Sequence, residues 1–318
     1  MIDEEPSGGR PTTAKLRSVL ERASRVVIAE AAPDEADSAE VSRIAVSGAE
    51  IAELGRLLAI VDGGTGDLCR CRGWPTILVY SGDEIIARWT LHHQSGIRGV
   101  GNCDADLVDG PALSDWLAER GLTGSLDVQV ELARERAEAE QRRIRWIQAA
   151  PAGLTKAAEA VARTQDGDHR SWSRYQDVAR NRLAVQLRRR YPDTTERIRV
   201  LLAWAGLTAR EPSGGLRWYD QAVEQQLLAE PSDATFAALT SPPPIPAHLD
   251  GAAQLFGSLE WTTKHGKQLP EPLKTMLTAH IRATGTDPMK TRLGWGYYGA
   301  KLTDRPALTW AIVNACTS

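Results

Sequence analysis

Near Asp127 the apolar residues of this 318-residue chain change their spacing, and that change limits what each half can fold into. Before it, short β-rich runs appear: Arg25–Ala31, Ser42–Ser47, Leu68–Arg72, Thr76–Tyr80 and Glu84–His92. The second of them alternates with period two, as a half-buried strand requires. Ser81-Gly82-Asp83 joins the last two runs as a hairpin. Two helical patterns are interspersed, Ala49–Ala59 with Ile51, Leu54, Leu57 and Leu58 on one face, and Leu107–Arg120 stopped by Gly121. A short helix over Ser18–Ser24 precedes them, with Ser18 and Glu21 at capping-box spacing. This order predicts an α+β domain, a mostly antiparallel sheet with two helices.

After Asp127 every pattern is helical. A long charged helix is expected over 127–150, then helices at 153–164, 172–190, 194–206, 218–229, 248–259, 270–283 and 304–315. Pro151, Tyr191-Pro192-Asp193, Gly206 and the proline-rich Ser241–Pro246 punctuate them. No repeat period is evident, so an all-α domain follows, as an irregular bundle or a degenerate solenoid. The expected division is a tail at 1–16, the α+β domain at 17–126, a linking helix at 127–150 and the helical domain at 151–318.

Four cysteines are too few for a disulfide framework. No apolar run approaches the roughly 18 residues of a membrane span, and the acidic, polar opening is not read as a signal peptide. A cytoplasmic protein without membrane partners is the expectation. Charge is segregated: residues 1–133 carry 12 Lys/Arg against 22 Asp/Glu, and residues 134–210 carry 17 against 9. The basic middle block suits an acidic partner or a contact with the acidic first domain.

The most concentrated reactive chemistry is Cys69-x-Cys71, then His92-His93, then Cys103. On a strand, residues two apart point to one face, so Cys69 and Cys71 project together and only one of His92 and His93 can share a face with a given neighbour. Cys69, Cys71, one histidine and Cys103 make a Cys3His set suited to tetrahedral zinc. Against this, C-x-C on a straight strand is a poor chelate, and free cysteines are commonly core residues. A third reading is a cysteine nucleophile assisted by His92 or His93.

Trp74-Pro75-Thr76, followed by ILVY, a turn and IIARW, resembles the cis-proline strand and its partner in thioredoxin-like folds. The C-x-x-C that carries the redox chemistry there, at the start of a helix after the first strand, is missing. Asp62–Asp67 is Gly-rich but follows a helix and precedes a strand pattern, the wrong order for a phosphate loop. Arg98, in a loop after the histidines, is a candidate anion contact. Arg182, Arg188, Arg189 and Arg190, beside Tyr191, are candidates for nucleic-acid binding. The chain has no nucleotide, hydrolase, metalloprotease or kinase signature. It therefore reads first as a non-enzymatic protein-interaction or adaptor protein. A metal-binding or thiol-dependent enzyme is the second reading, and a nucleic-acid binder through the Arg-rich helix the third.

Overall fold

The computed structural model describes residues 9–163, 169–211 and 215–299. The chain divides into two compact units, 1–139 and 140–318, each with its own apolar core. The first is α+β and the second is helical, as the change of period requires.

In the first unit, α1 (Thr13–Leu20) precedes β1 (Arg25–Ala29), β2 (Arg43–Val46), α2 (Ala49–Leu57), β3 (Thr76–Ser81), β4 (Glu84–His92), β5 (Gly96–Arg98), β6 (Ala105–Asp106) and α3 (Gly110–Glu119). The six strands form one antiparallel sheet in the order β2-β1-β3-β4-β5-β6. The register places Val26 opposite Val79, Ile28 opposite Ile77, Ile77 opposite Trp89, Leu91 opposite Ile97 and Ile97 opposite Ala105. These residues therefore share one face, where they bury against Leu16 of α1, Leu54 of α2 and Leu113, Trp116 and Leu117 of α3. The other face carries Thr76, Thr90, His92 and Arg98, from positions of opposite parity.

Three expectations change here. The run Leu68–Arg72 is not a strand: residues 68–75 have no ladder. Glycines with left-handed backbone, Gly66 and Gly73, bracket the run, and the Cys69 and Cys71 carbonyls bond to Arg98 rather than to a neighbouring strand. The stretch Ser95–Gly101, read as a connecting loop, contains β5, whose Ile97 is fully buried. The opening helix is capped by Thr12 and starts at Thr13, inside the expected tail.

The second unit follows α4 (Gly124–Gln148), within which the division at residue 139 falls. It holds α5 (Thr155–Val161), α6 (His169–Arg190), α7 (Thr194–Ala209), α8 (Trp218–Leu228), α9 (Ser232–Ala238), α10 (Pro246–Phe256), α11 (Leu259–His265), α12 (Glu271–Thr284) and α13 (Asp287–Gly294). The helix expected over 304–315 lies outside the described residues. Gly206 does not break α7. It lies inside the helix because a Cβ there would come 2.5 Å from the Ala247 carbonyl oxygen of α10. Gly251 of α10 does the same from its side, since a Cβ would overlap the Leu202 carbonyl. Two glycines thus let α7 and α10 approach closely over the buried Leu201, Leu202, Ala252 and Ala253.

Among the described residues, no helix is long and apolar enough to cross a membrane.

Candidate metal centre

The centre lies on the sheet face opposite the helices. His92 ends β4 and stands opposite Gly96 of β5. A Cβ at Gly96 would overlap the His92 ring, so glycine is what leaves room for the imidazole. The irregular segment 69–73 is laid onto this same end of the sheet. Its Gly73 is buried against Thr90 and Leu91, and the Trp74 N–H donates to the Leu91 carbonyl at 2.7 Å.

Arg98 fixes the segment. Its Nη1 donates to the Cys71 carbonyl at 2.9 Å and its Nη2 to the Cys69 carbonyl. Asp104 completes the clamp by accepting from the Cys69 N–H at 2.7 Å. Arg98 and Asp104 are themselves joined by two hydrogen bonds.

Consecutive residues of a strand point to opposite faces, so His92 and His93 were expected to part company. They do not, because β4 stops at His92 and the next two residues leave the strand region. His93 has φ 51° and Gln94 φ 54°, both left-handed and rare for residues with a side chain. The turn swings His93 back to the cysteines, with its Nε2 3.2 Å from Cys69 Sγ. The two imidazoles meet edge-on at 5.7 Å between centroids. Gln94 anchors the turn, its Nε2 donating to the Trp74 carbonyl and its own carbonyl accepting from Gln129.

One ligand atom from each of Cys69, Cys71, His92 and His93 lies within 4.8 Å of all the others. A tetrahedron with Zn–S near 2.3 Å and Zn–N near 2.0–2.1 Å has edges of roughly 3.3–3.8 Å. The Cys69–His93 approach of 3.2 Å is already at that scale, and the remaining edges need contract by no more than about 1.5 Å. The expected Cys3His set is therefore replaced by Cys2His2. Cys103 is buried, falls outside the cluster, and packs where a Cβ on Gly64 would come 2.5 Å from its sulfur. The reading of core cysteines describes Cys103, while Cys69 and Cys71 are only half-buried.

The electrostatics favour deprotonated donors. The Cys71 N–H, 3.4 Å from Cys69 Sγ, is the first cause that brings the Cys69 thiol down to about 7, followed by the Cys71 thiol and the His93 ring. Cys71 moves the other way, because burial and the adjacent Cys69 disfavour a second thiolate. Burial keeps His92 neutral by lowering its pKa. The 3.6 Å separation between His92 Nε2 and Asp104 Oδ2 is thus no ion pair but places a carboxylate beside a ligand-type imidazole. Burial alone would raise Asp104; the Arg98 guanidinium and the Cys69 N–H outweigh it and hold the carboxyl ionised. Both ring nitrogens of His92 are buried without a hydrogen-bond partner. A buried polar atom left without a partner is costly, and a metal bond would satisfy one of the two nitrogens.

The remaining candidates are not donors of the cluster. Arg98 is engaged by Asp104 and the two cysteine carbonyls. Arg182, Arg188, Arg189 and Arg190 are exposed on α6, in the other unit. Asp104 and Gly96 were not singled out from the sequence. A lone aspartate beside a cysteine carries no signal of its role, and only the β4–β5 register reveals why residue 96 must be small.

Comparison of the chain with protein-family models, with curated proteins and with solved structures finds no match.

Proposed function

We propose that the first unit is a metal-binding module that holds a zinc ion through Cys69, Cys71, His92 and His93. The observation that carries this reading is the convergence of two sulfur and two imidazole donors within 4.8 Å. Mixed thiolate and imidazole donors select zinc among the abundant divalent ions, since magnesium and calcium take oxygen ligands. Four protein donors close a tetrahedral site and leave no position for water or substrate. The centre is therefore a structural one, which fastens the irregular cysteine segment to the end of β4, rather than a hydrolytic one.

Elemental analysis of protein purified without chelator tests this directly. About one zinc per chain is expected, retained in Cys103→Ala and lost in the Cys69→Ala/Cys71→Ala double variant. Cobalt substitution should give the visible absorption of a tetrahedral thiolate site. Zinc-free protein that takes up neither zinc nor cobalt from a buffered solution would overturn the reading. So would retention of the metal by the double variant.

A further inference from the structure

Two helices of the chain are rich in arginine, and they use it differently. In α4, Arg134 pairs with Glu131 and Glu138, and Arg143 with Glu140, so its charge is largely neutralised along the helix. The sequence of α6 holds seven arginines and a single acidic residue, Asp177, which pairs with Arg180 at 2.9 Å. Among the described residues, Arg174, Arg182, Arg188 and Arg189 have no carboxylate partner.

These arginines are not scattered around the helix. Ala179, Leu183 and Leu187 bury the inner side of α6 in the helical core. With about 100° of turn per residue, Arg174, Val178, Arg182, Val185 and Arg189 line up along the outer side, with Arg188 on its flank. All six are exposed, and Val178 and Val185 retain 62% and 64% of their accessible surface. The stripe runs for about 22 Å along the helix.

We propose that this face of α6 binds duplex DNA through its phosphate backbone. Every cation of the stripe is an arginine, whose planar fork matches phosphate oxygens in pairs. A polyanion with regularly spaced charges is the natural complement of a row of unpaired cations of one sign. The major groove of B-form DNA, about 12 Å wide, admits an α-helix, whereas the deep, narrow groove of A-form RNA does not. The residues between the arginines are small valines rather than the Trp, Phe and Leu that seat a helix in a membrane surface. The inference concerns the second unit alone and is independent of the metal centre.

Fluorescence anisotropy of a labelled, random-sequence duplex longer than two helical turns, titrated with the full chain over a series of salt concentrations, tests it. Four phosphate contacts give a slope of log affinity against log salt of about −3.6, so a fourfold rise in salt weakens binding about 150-fold. Each of Arg174→Gln, Arg182→Gln and Arg189→Gln should flatten the slope by about 0.9, and the triple variant should lose most of the affinity. Helix content and thermal midpoint should be unchanged in the triple variant, because the positions are exposed. Absence of binding at low salt, or equal binding by the folded triple variant, overturns the proposal. Stronger binding to single-stranded RNA, to phosphatidylserine vesicles or to polyglutamate, lost in the triple variant, assigns the face to that partner and overturns it equally.

Discussion

Arg98 donates through Nε and Nη2 to the two carboxylate oxygens of Asp104, at 2.9 and 3.0 Å, and the Asp104 side chain is 2% exposed. The same guanidinium reaches both cysteine carbonyls, and the same carboxylate holds the Cys69 N–H. One ion pair therefore sets the path of the cysteine segment.

Removing either partner should act on metal affinity before it abolishes the fold. Arg98→Ala leaves a buried carboxylate without its cation and should destabilise the first unit by about 3 kcal/mol in a denaturant titration. Zinc affinity, measured by chelator competition, should fall about 10- to 100-fold in Arg98→Ala and in Asp104→Asn while all four ligands remain. Arg98→Lys keeps the charge but not the fork, and should recover stability more than affinity.

Thiol reactivity should separate the three described cysteines. In metal-free protein, alkylation of Cys69 should be half-maximal near pH 7, because its thiolate forms at about that pH. Cys71, displaced upward by burial and by Cys69, should react only at higher pH, and buried Cys103 slowest of all. Peptide mapping after pulsed labelling between pH 6 and pH 9 reads all three. Prior addition of zinc should protect Cys69 and Cys71 and leave Cys103 unaffected.

Gly96→Ala is the smallest change that should disturb the centre. The added methyl would overlap the His92 imidazole and displace it from the other three donors. Loss of at least about tenfold in zinc affinity is expected, with the β4–β5 ladder otherwise preserved. Elemental analysis and amide exchange across Gly96–Arg98 check the two halves of that statement.

In the helical unit, Glu224 should make stability fall as pH rises. Burial is the first cause that raises its carboxyl above 4.5, with the Ser258 hydroxyl opposing, and its Oε1 is buried without a hydrogen-bond partner. The folded state then binds its proton more tightly than the unfolded chain. The resulting stabilisation is complete below pH 4.5 and is lost as pH rises through the higher folded value. Glu224→Gln should remove this dependence and equal or exceed the parent in urea midpoint at pH 7.5.

The close approach of α7 and α10 gives a prediction on stability alone. Gly251→Ala would place a methyl on the Leu202 carbonyl, a backbone atom that cannot rotate away. The helical unit should lose about 3 kcal/mol or more by calorimetry.

Much of the fold was legible because periodicity reports burial. The β1, β3 and β4 runs alternate or are continuously apolar, and Ile51, Leu54 and Leu58 announce α2. What was missed depends on contacts no local pattern encodes. The segment 69–72 looks like a strand but gives its carbonyls to Arg98, and Gly206 looks like a stop but marks a helix crossing. At the site, the residue types and most of their grouping were visible, but not that both histidines join the two cysteines and that Cys103 stays outside. His93 joins His92 only through a left-handed turn, and Cys103 leaves the set because its chain position turns it into the core.

The two pairs of donors flank a single hairpin. Cys71 and His92 are separated by about 20 residues, most of them in β3 and β4, and an ion bridging them would tie that stretch into a closed ring. Shortening the conformational freedom of the unfolded chain over such a ring is worth on the order of 3 kcal/mol by the loop-closure relation. The hairpin itself forms from neighbours in sequence, so its two ends meet early and the donors are gathered before β1, about 50 residues away along the chain, has paired with β3. An ion captured at that moment would act on the order of folding as well as on its endpoint, by pinning the two ends of the hairpin together while β1 is still to join β3.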